Sequence, residues 1–202
     1  MHIPTHLMLS WVVGHRLKEL QDRVLVAWAG VAADLDGLTV LAGEETYGRW
    51  HHVFTHGLFA GLLIGLLMSS WAKDRINVWW LGLGAFHLHL VCDFLGSGVD
   101  WPIQYFWPLS DTFYYTPYGW ELDAWQNWVV AITLIVVCGR LAISSGHSFA
   151  ETFLPKTRDE AVVAALRQRF APHCATSMSE PTARAPDVAI TCREITVGLL
   201  SC

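Results

Sequence analysis

Charged and strongly polar positions divide the chain into apolar blocks of unequal length. The first, residues 3–14 (IPTHLMLSWVVG), rises only ~18 Å as a helix and is too short to cross a bilayer alone. The next residues, HRLKELQDR (15–23), are charged and predict a solvent-facing segment. Residues 24–42 are apolar again, interrupted by Asp34 and Asp36 in the run AADLDG. Three further apolar runs follow: VFTHGLFAGLLIGLLMSSWA (53–72), 77–95 and 125–143. Each of the four long runs has the ~20 residues that a helix needs to span hydrocarbon. Between the last two, residues 96–124 are rich in aromatics, Pro and Asp. TRDEAVVAALRQRF (157–170) predicts an amphipathic surface helix, and the composition from Ala171 onward predicts a disordered tail. The expected fold is all-α: a multi-pass membrane helical bundle of about four spans plus a short N-terminal helix. Residues 1–145 form its embedded domain, 146–170 a cytoplasmic amphipathic segment and 171–202 the disordered C-terminal tail.

Charge distribution favours membrane spans over buried core helices. Lys and Arg fall at 16, 18 and 23, at 73 and 75, and seven times from Arg140 onward. Residues 43–52 hold one, Arg49, and residues 96–124 none. Four spans with alternating loops put every basic-rich segment on one side, which the positive-inside rule makes cytoplasmic. A soluble helical core predicts no such alternation. The composition agrees, with 53% hydrophobic and 15% charged residues and a mean hydropathy of +0.35. Eleven tryptophans suit side chains with one apolar and one wet end. A formal net charge of -5 argues against a nucleic-acid partner held by phosphate neutralisation. Five cysteines without a CxxC form no disulfide framework or zinc knuckle, and Cys92 and Cys138 read as packing residues. Residues 1–6 lack the basic start of a cleavable signal peptide.

Candidate chemistry lies inside the apolar runs. AFHLHLVCDF (85–94) places His89 and Asp93 one helical turn apart on one face, where an imidazole and a carboxylate can reach one cation. His87 lies about 200° around the helix from His89, so the two do not share a ligand face; a hydrogen bond between helices is its first reading and ligation its second. Asp34 and Asp36 point to opposite sides of a continuous helix; a helix that stops there, with Gly37 allowing an unusual turn, aims both at one place. The alternating topology sets His51, His52 and His56 at the outer start of the second run. His89 and Asp93 then lie near the outer end of the third, and His6 joins them if the N-terminal segment dips in from outside. The bland alternatives are a structural His–Asp pair at 89 and 93 and a helix stop with local turn bonds at 34–36. His2, His15, His147 and His173 read as interfacial side chains. Glu44, Glu45, Asp111 and Glu121 read as solvated, and Trp101, Trp107 and the Tyr residues at 114–118 as an aromatic belt. His52 stays open as a ligand.

Four blocks within roughly residues 1–110 carry a resemblance: THLMLS with His6, ADLDG with Asp34 and Asp36, HHVFTHGL with His51 and His56, and HLHLVCDFLGSG with His89 and Asp93. A trailing Trp107-Pro108 pair also fits. In order and spacing the chain resembles the YdjM-like family of membrane-bound, predicted metal-dependent hydrolases. It departs from the family pattern at Ala33, where Pro is usual before the first aspartate. It departs again at His52, where Arg often follows the first histidine of the block. The resemblance implies an inner-membrane hydrolase with a divalent metal site.

The expected site therefore comprises His6, Asp34, Asp36, His51, His56, His89 and Asp93 around one or more divalent ions, zinc first, with manganese or iron as alternatives. Seven candidates exceed one tetrahedral shell, which implies two ions or supporting residues. Asp34 or Asp36 is the candidate general base. The expected substrate is an ester or phosphoester, lipid-like because the site opens toward the outer leaflet. A metal or proton transporter is the rival class, though it needs polar residues continuing toward the cytoplasmic half. A non-catalytic membrane structural protein is the third.

Overall fold

The computed structural model describes residues 1–98 and 100–170. Its helices are α1 (Ile3–Gly14), α2 (Leu20–Val31), α3 (Glu44–Trp50), α4 (Leu58–Trp71), α5 (Arg75–Gly96), α6 (Trp125–Ser145) and α7 (Lys156–Phe170). The all-α expectation holds: among the described residues the only β pairing is an isolated bridge between Ile103 and Tyr114. Two 3₁₀ segments, Ala32–Ala42 and Phe149–Thr152, complete the chain. The tail and His173 lie outside the described residues.

Three stretches are long and apolar enough to cross a membrane by length and composition: Leu20–Ala42, Arg75–Gly96 and Trp125–Ser145. The fourth expected span is shorter than its apolar run. Only Leu58–Trp71 of residues 53–72 is helical, 14 residues in all. Residues 51–57 turn instead, with His52 in the left-handed region at φ 66. Polar tethers hold that path: Leu58 N–H donates to Tyr105 O (2.8 Å) and Gln104 N–H to His52 O (3.2 Å). An added Cβ at Gly57 would meet Tyr105 O at 2.8 Å, so the close backbone approach there requires glycine.

The bundle packs α1, α2, α4 and α5 together, with α6 against α1. Leu7, Met8 and Trp11 of α1 meet Ala27 and Val31 of α2 and Leu134 and Cys138 of α6. Ala29, Ala32 and Ala33 pack on Ile64 of α4 and Phe86 and Leu90 of α5. Small residues let the backbones approach: a Cβ on Gly30 would lie 1.8 Å from Ser10 Oγ, inside its van der Waals envelope.

The segment 15–23 is not wholly solvent-facing. Asp22 and Arg23 are buried. Asp22 accepts the backbone N–H groups of Lys73 (2.8 Å) and Asp74 (2.9 Å), fixing the entry to α5. Arg23 forms a two-pronged pair with Glu151 (2.7 and 2.6 Å), which also accepts Trp11 Nε1–H (2.8 Å). A charged stretch becomes internal because each charge finds a fixed partner. The helix expected over 157–170 forms as α7, with Asp159 and Val163 buried. Glu44, Glu45, Asp111 and Glu121 are exposed, as expected.

Candidate metal centre

Four elements deliver the site. α5 supplies His89 and Asp93 from one face, as their four-residue spacing requires. The α-helix α2 ends at Val31 and tightens into the 3₁₀ segment that carries Asp34 and Asp36. Gly37 is not the cause, since its φ is not positive; the tighter winding itself redirects the two carboxylates. At three residues per turn, positions two apart diverge by ~120°. Asp34 faces α5 and Asp36 faces the loop 51–57. Thr55 pins that loop to the 3₁₀ segment, its hydroxyl donating to Ala33 O and accepting Asp36 N–H (3.3 Å). The loop then places His56, and α1 brings His6 alongside.

Asp34, His56, His89 and Asp93 each offer one ligand atom, all within 4.8 Å of one another. Asp93 Oδ2 lies 2.8 Å from His89 Nε2 and 3.4 Å from His56 Nε2, while Asp34 Oδ1 lies 3.5 Å from His89 Nε2. Donors at ~2.0–2.1 Å from a tetrahedral zinc stand about 3.3 Å apart, close to these separations. His56 Nε2, His89 Nε2 and Asp34 Oδ2 are buried without a hydrogen-bond partner among the described residues. The two imidazole nitrogens approach Asp93 Oδ2 without a well-aligned hydrogen bond, and a cation among these groups would satisfy the nitrogens and both carboxylates together. The group can therefore hold a metal ion.

The remaining expected residues surround these four. Asp36 lies on the far side of the His56 ring: Oδ2 accepts His56 Nδ1 (2.9 Å) and His52 N–H (3.0 Å), and Oδ1 faces His51 Nδ1 (2.7 Å). An imidazole that donates Nδ1–H to a carboxylate presents its Nε2 lone pair outward, toward the four-residue group. His6 Nε2 lies 3.1 Å from Asp93 Oδ1, and its ring stacks on His89 at 3.8 Å. The Met1 amino group lies 2.5 Å from the same Asp93 oxygen, and the Ser97 hydroxyl donates to it at 2.9 Å.

His52 stands at the edge of the group, its Nε2 4.0 Å from Asp93 Oδ2 and its Nδ1 3.1 Å from Trp101 O. Burial, reinforced by His56 nearby, holds its imidazole down to about 3, so it is neutral. His87 stays outside the four-residue group and bonds Leu83 O of its own helix (2.9 Å) and the Tyr105 hydroxyl in the following loop (3.0 Å), not a second helix as expected. His51 therefore reaches the group only through Asp36.

A cavity of about 600 Å³ opens over this floor. Asp34, His51, His52 and Asp93 line its base, and Ile3, Leu38 and Leu122 line its apolar wall. Tyr47 and Trp101 add aromatic faces, Tyr47 stacking on His51 at 4.5 Å. No sequence signal marks Tyr47, which lies on a seven-residue helix between the 3₁₀ segment 32–42 and the loop 51–57. Its aromatic and polar character suits a cavity rim, but its nearness to three distant aspartates is a tertiary fact. Burial and those aspartates hold its hydroxyl above the usual phenol range, so it remains a donor.

No curated protein and no solved structure matches the chain. A family model described as YdjM inner membrane protein matches residues 1–166, which include every residue of the centre. With the apolar helices and the His/Asp centre in place, the chain belongs to the YdjM inner membrane protein family.

Proposed function

We propose that the protein is a membrane-bound metal-dependent hydrolase, with zinc the favoured ion and an ester or phosphoester of a lipid-like molecule as substrate. One observation carries the reading: three buried, unpartnered donor atoms on His56, His89 and Asp34 converge beside the Asp93 carboxylate. Asp34, His56, His89 and Asp93 would hold a divalent ion there, which would supply Lewis acidity, lowering the pKa of a bound water and polarising the scissile oxygen. Asp36 orients His56 and, with His51, acts as a positioning residue, because both its oxygens are already engaged. Asp34 borders the cavity, and the carboxylate oxygen it does not give to the ion is the candidate proton acceptor. His6, Ser97 and the Met1 amino group hold the other edge of Asp93. The wall of Ile3, Leu38 and Leu122 beside a polar floor suits an amphiphile whose ester rests on that floor.

In this reading the inner membrane is crossed several times, with the basic segments and the C-terminal side cytoplasmic and the centre toward the outer face. Elemental analysis of detergent-purified protein, paired with turnover of a phosphoester panel, tests it. Stoichiometric zinc with turnover that His89→Ala abolishes supports the proposal. Metal-free protein refutes the centre, and metal without turnover on any ester refutes the hydrolase.

A further inference from the structure

A second cavity, of about 1000 Å³, lies at the opposite end of α1 from His6. It is bounded by the turn after α1, the ends of α6 and the 3₁₀ turn 149–152, and the first turns of α2 and α7. His147 Nε2 faces His15 O across it (2.9 Å), tying the C-terminal end of α6 to that of α1. Its lining is charged, and the acids are already taken. Glu151 is held by Arg23 and Trp11. Asp159 accepts the backbone N–H and hydroxyl of Ser148. Glu19 pairs with Lys73 (2.9 Å), and Glu160 with Lys156 (3.9 Å). Arg16 and Lys18 also line the cavity, and neither has a carboxylate within 4.0 Å among the described residues. The hydroxyls of Ser144 and Ser145 border the same space.

The lining balances four Arg and Lys against four Asp and Glu, and the serine hydroxyls donate to Leu141 O, so Arg16 and Lys18 are the two charges left to meet an anion at the end of the apolar helices. We propose that this cavity binds a phosphate group, that of an anionic phospholipid headgroup, through Arg16 and Lys18. The placement favours a lipid over free phosphate. The cavity lies at the start of α2 and the end of α6, on the side where the basic segments and hence anionic headgroups concentrate, and pockets with free cations between membrane helices take such groups. It is separate from the His/Asp centre and involves none of its residues.

The test uses the full-length protein in detergent. Native mass spectrometry with added phosphatidylglycerol or phosphatidylcholine reads retention of each lipid, and a parallel titration uses inorganic phosphate alone. Phosphatidylglycerol is expected to be retained in preference to phosphatidylcholine. The Arg16→Gln/Lys18→Gln double variant should weaken that retention about 25-fold, from two headgroup-depth cations. The helical circular dichroism signal and the gel-filtration profile should stay unchanged in the variant, which shows that it has folded. Equal retention of both lipids, or undiminished retention by the folded variant, overturns the proposal. Saturation by millimolar phosphate without lipid preference overturns the lipid assignment. If the double variant fails to fold, Lys18→Gln alone, an exposed substitution, is read by the same criteria with an expected effect of about fivefold.

Discussion

Asp36→Asn is the perturbation that best separates a ligand from a residue that orients one. The Asp36 carboxylate makes three contacts: His51 Nδ1 at 2.7 Å, His56 Nδ1 at 2.9 Å and His52 N–H at 3.0 Å. An asparagine turned with its oxygen toward His56 keeps two of them and presents an N–H₂ to His51, whose ring can accept by changing tautomer. Fold and hydrogen bonding therefore survive, and what is lost is the negative charge that strengthens His56 as a donor to a cation. Loss of such a supporting carboxylate weakens metal binding 10- to 100-fold, or ~1.4–2.7 kcal/mol. Asp93→Asn should do far more, because Asp93 Oδ2 sits 2.8 Å from His89 Nε2 inside the group. Competition against a chelator of known zinc affinity, with wild type, Asp36→Asn and Asp93→Asn side by side, reads the order directly. The reasoning fails if Asp36→Asn releases metal as completely as Asp93→Asn, since Asp36 would then be a direct ligand. It also fails if Asp36→Asn leaves the affinity untouched.

His89→Ala and His56→Ala should each abolish metal retention through gel filtration while the helical circular dichroism signal remains. Breaking the buried Arg23–Glu151 pair by Arg23→Met should cost ~3–5 kcal/mol, seen as a lower melting temperature in detergent. The double change Arg23→Met/Glu151→Leu should recover much of that loss. Gly30→Ala forces a Cβ against Ser10 and should cost ~1–3 kcal/mol, since α1 and α2 must separate. A reporter fused after Leu109 is expected outside and one after Phe170 inside; the reverse pattern would overturn the orientation.

Local spacing was enough for some of this architecture. His89 and Asp93 share a face because four residues complete a helical turn, and no other part of the chain can change that. Arg75–Gly96 and Trp125–Ser145 were legible for a similar reason, being long apolar runs that closely match their helices. The start of α4 was not. Residues 53–57 belong to the same uncharged run as the helix after them, yet backbone bonds that link the flanking His52 and Leu58 to Gln104 and Tyr105 hold them in a turn. Such partners lie about fifty residues away, and a hydropathy window cannot see them. The same limit hid the division of labour between the two aspartates. Asp34 and Asp36 read alike in sequence, and only the 3₁₀ winding sends one toward His89 and the other behind His56. Arg23 and Asp22 looked solvent-facing because their partners, Glu151 and the Lys73–Asp74 backbone, belong to other segments.

The 3₁₀ segment that bears both aspartates also presents Leu35, Val40 and Leu41 outward, Leu41 being 85% exposed. On that flank a single turn of backbone separates the polar interior from whatever surrounds the protein. In the proposed membrane-spanning arrangement acyl chains would brace this thin partition, whereas short, fast-exchanging surfactants would brace it poorly. Extraction chemistry should therefore govern how much ion survives purification, with nanodisc or long-chain maltoside preparations keeping a full complement that harsher micelles strip away.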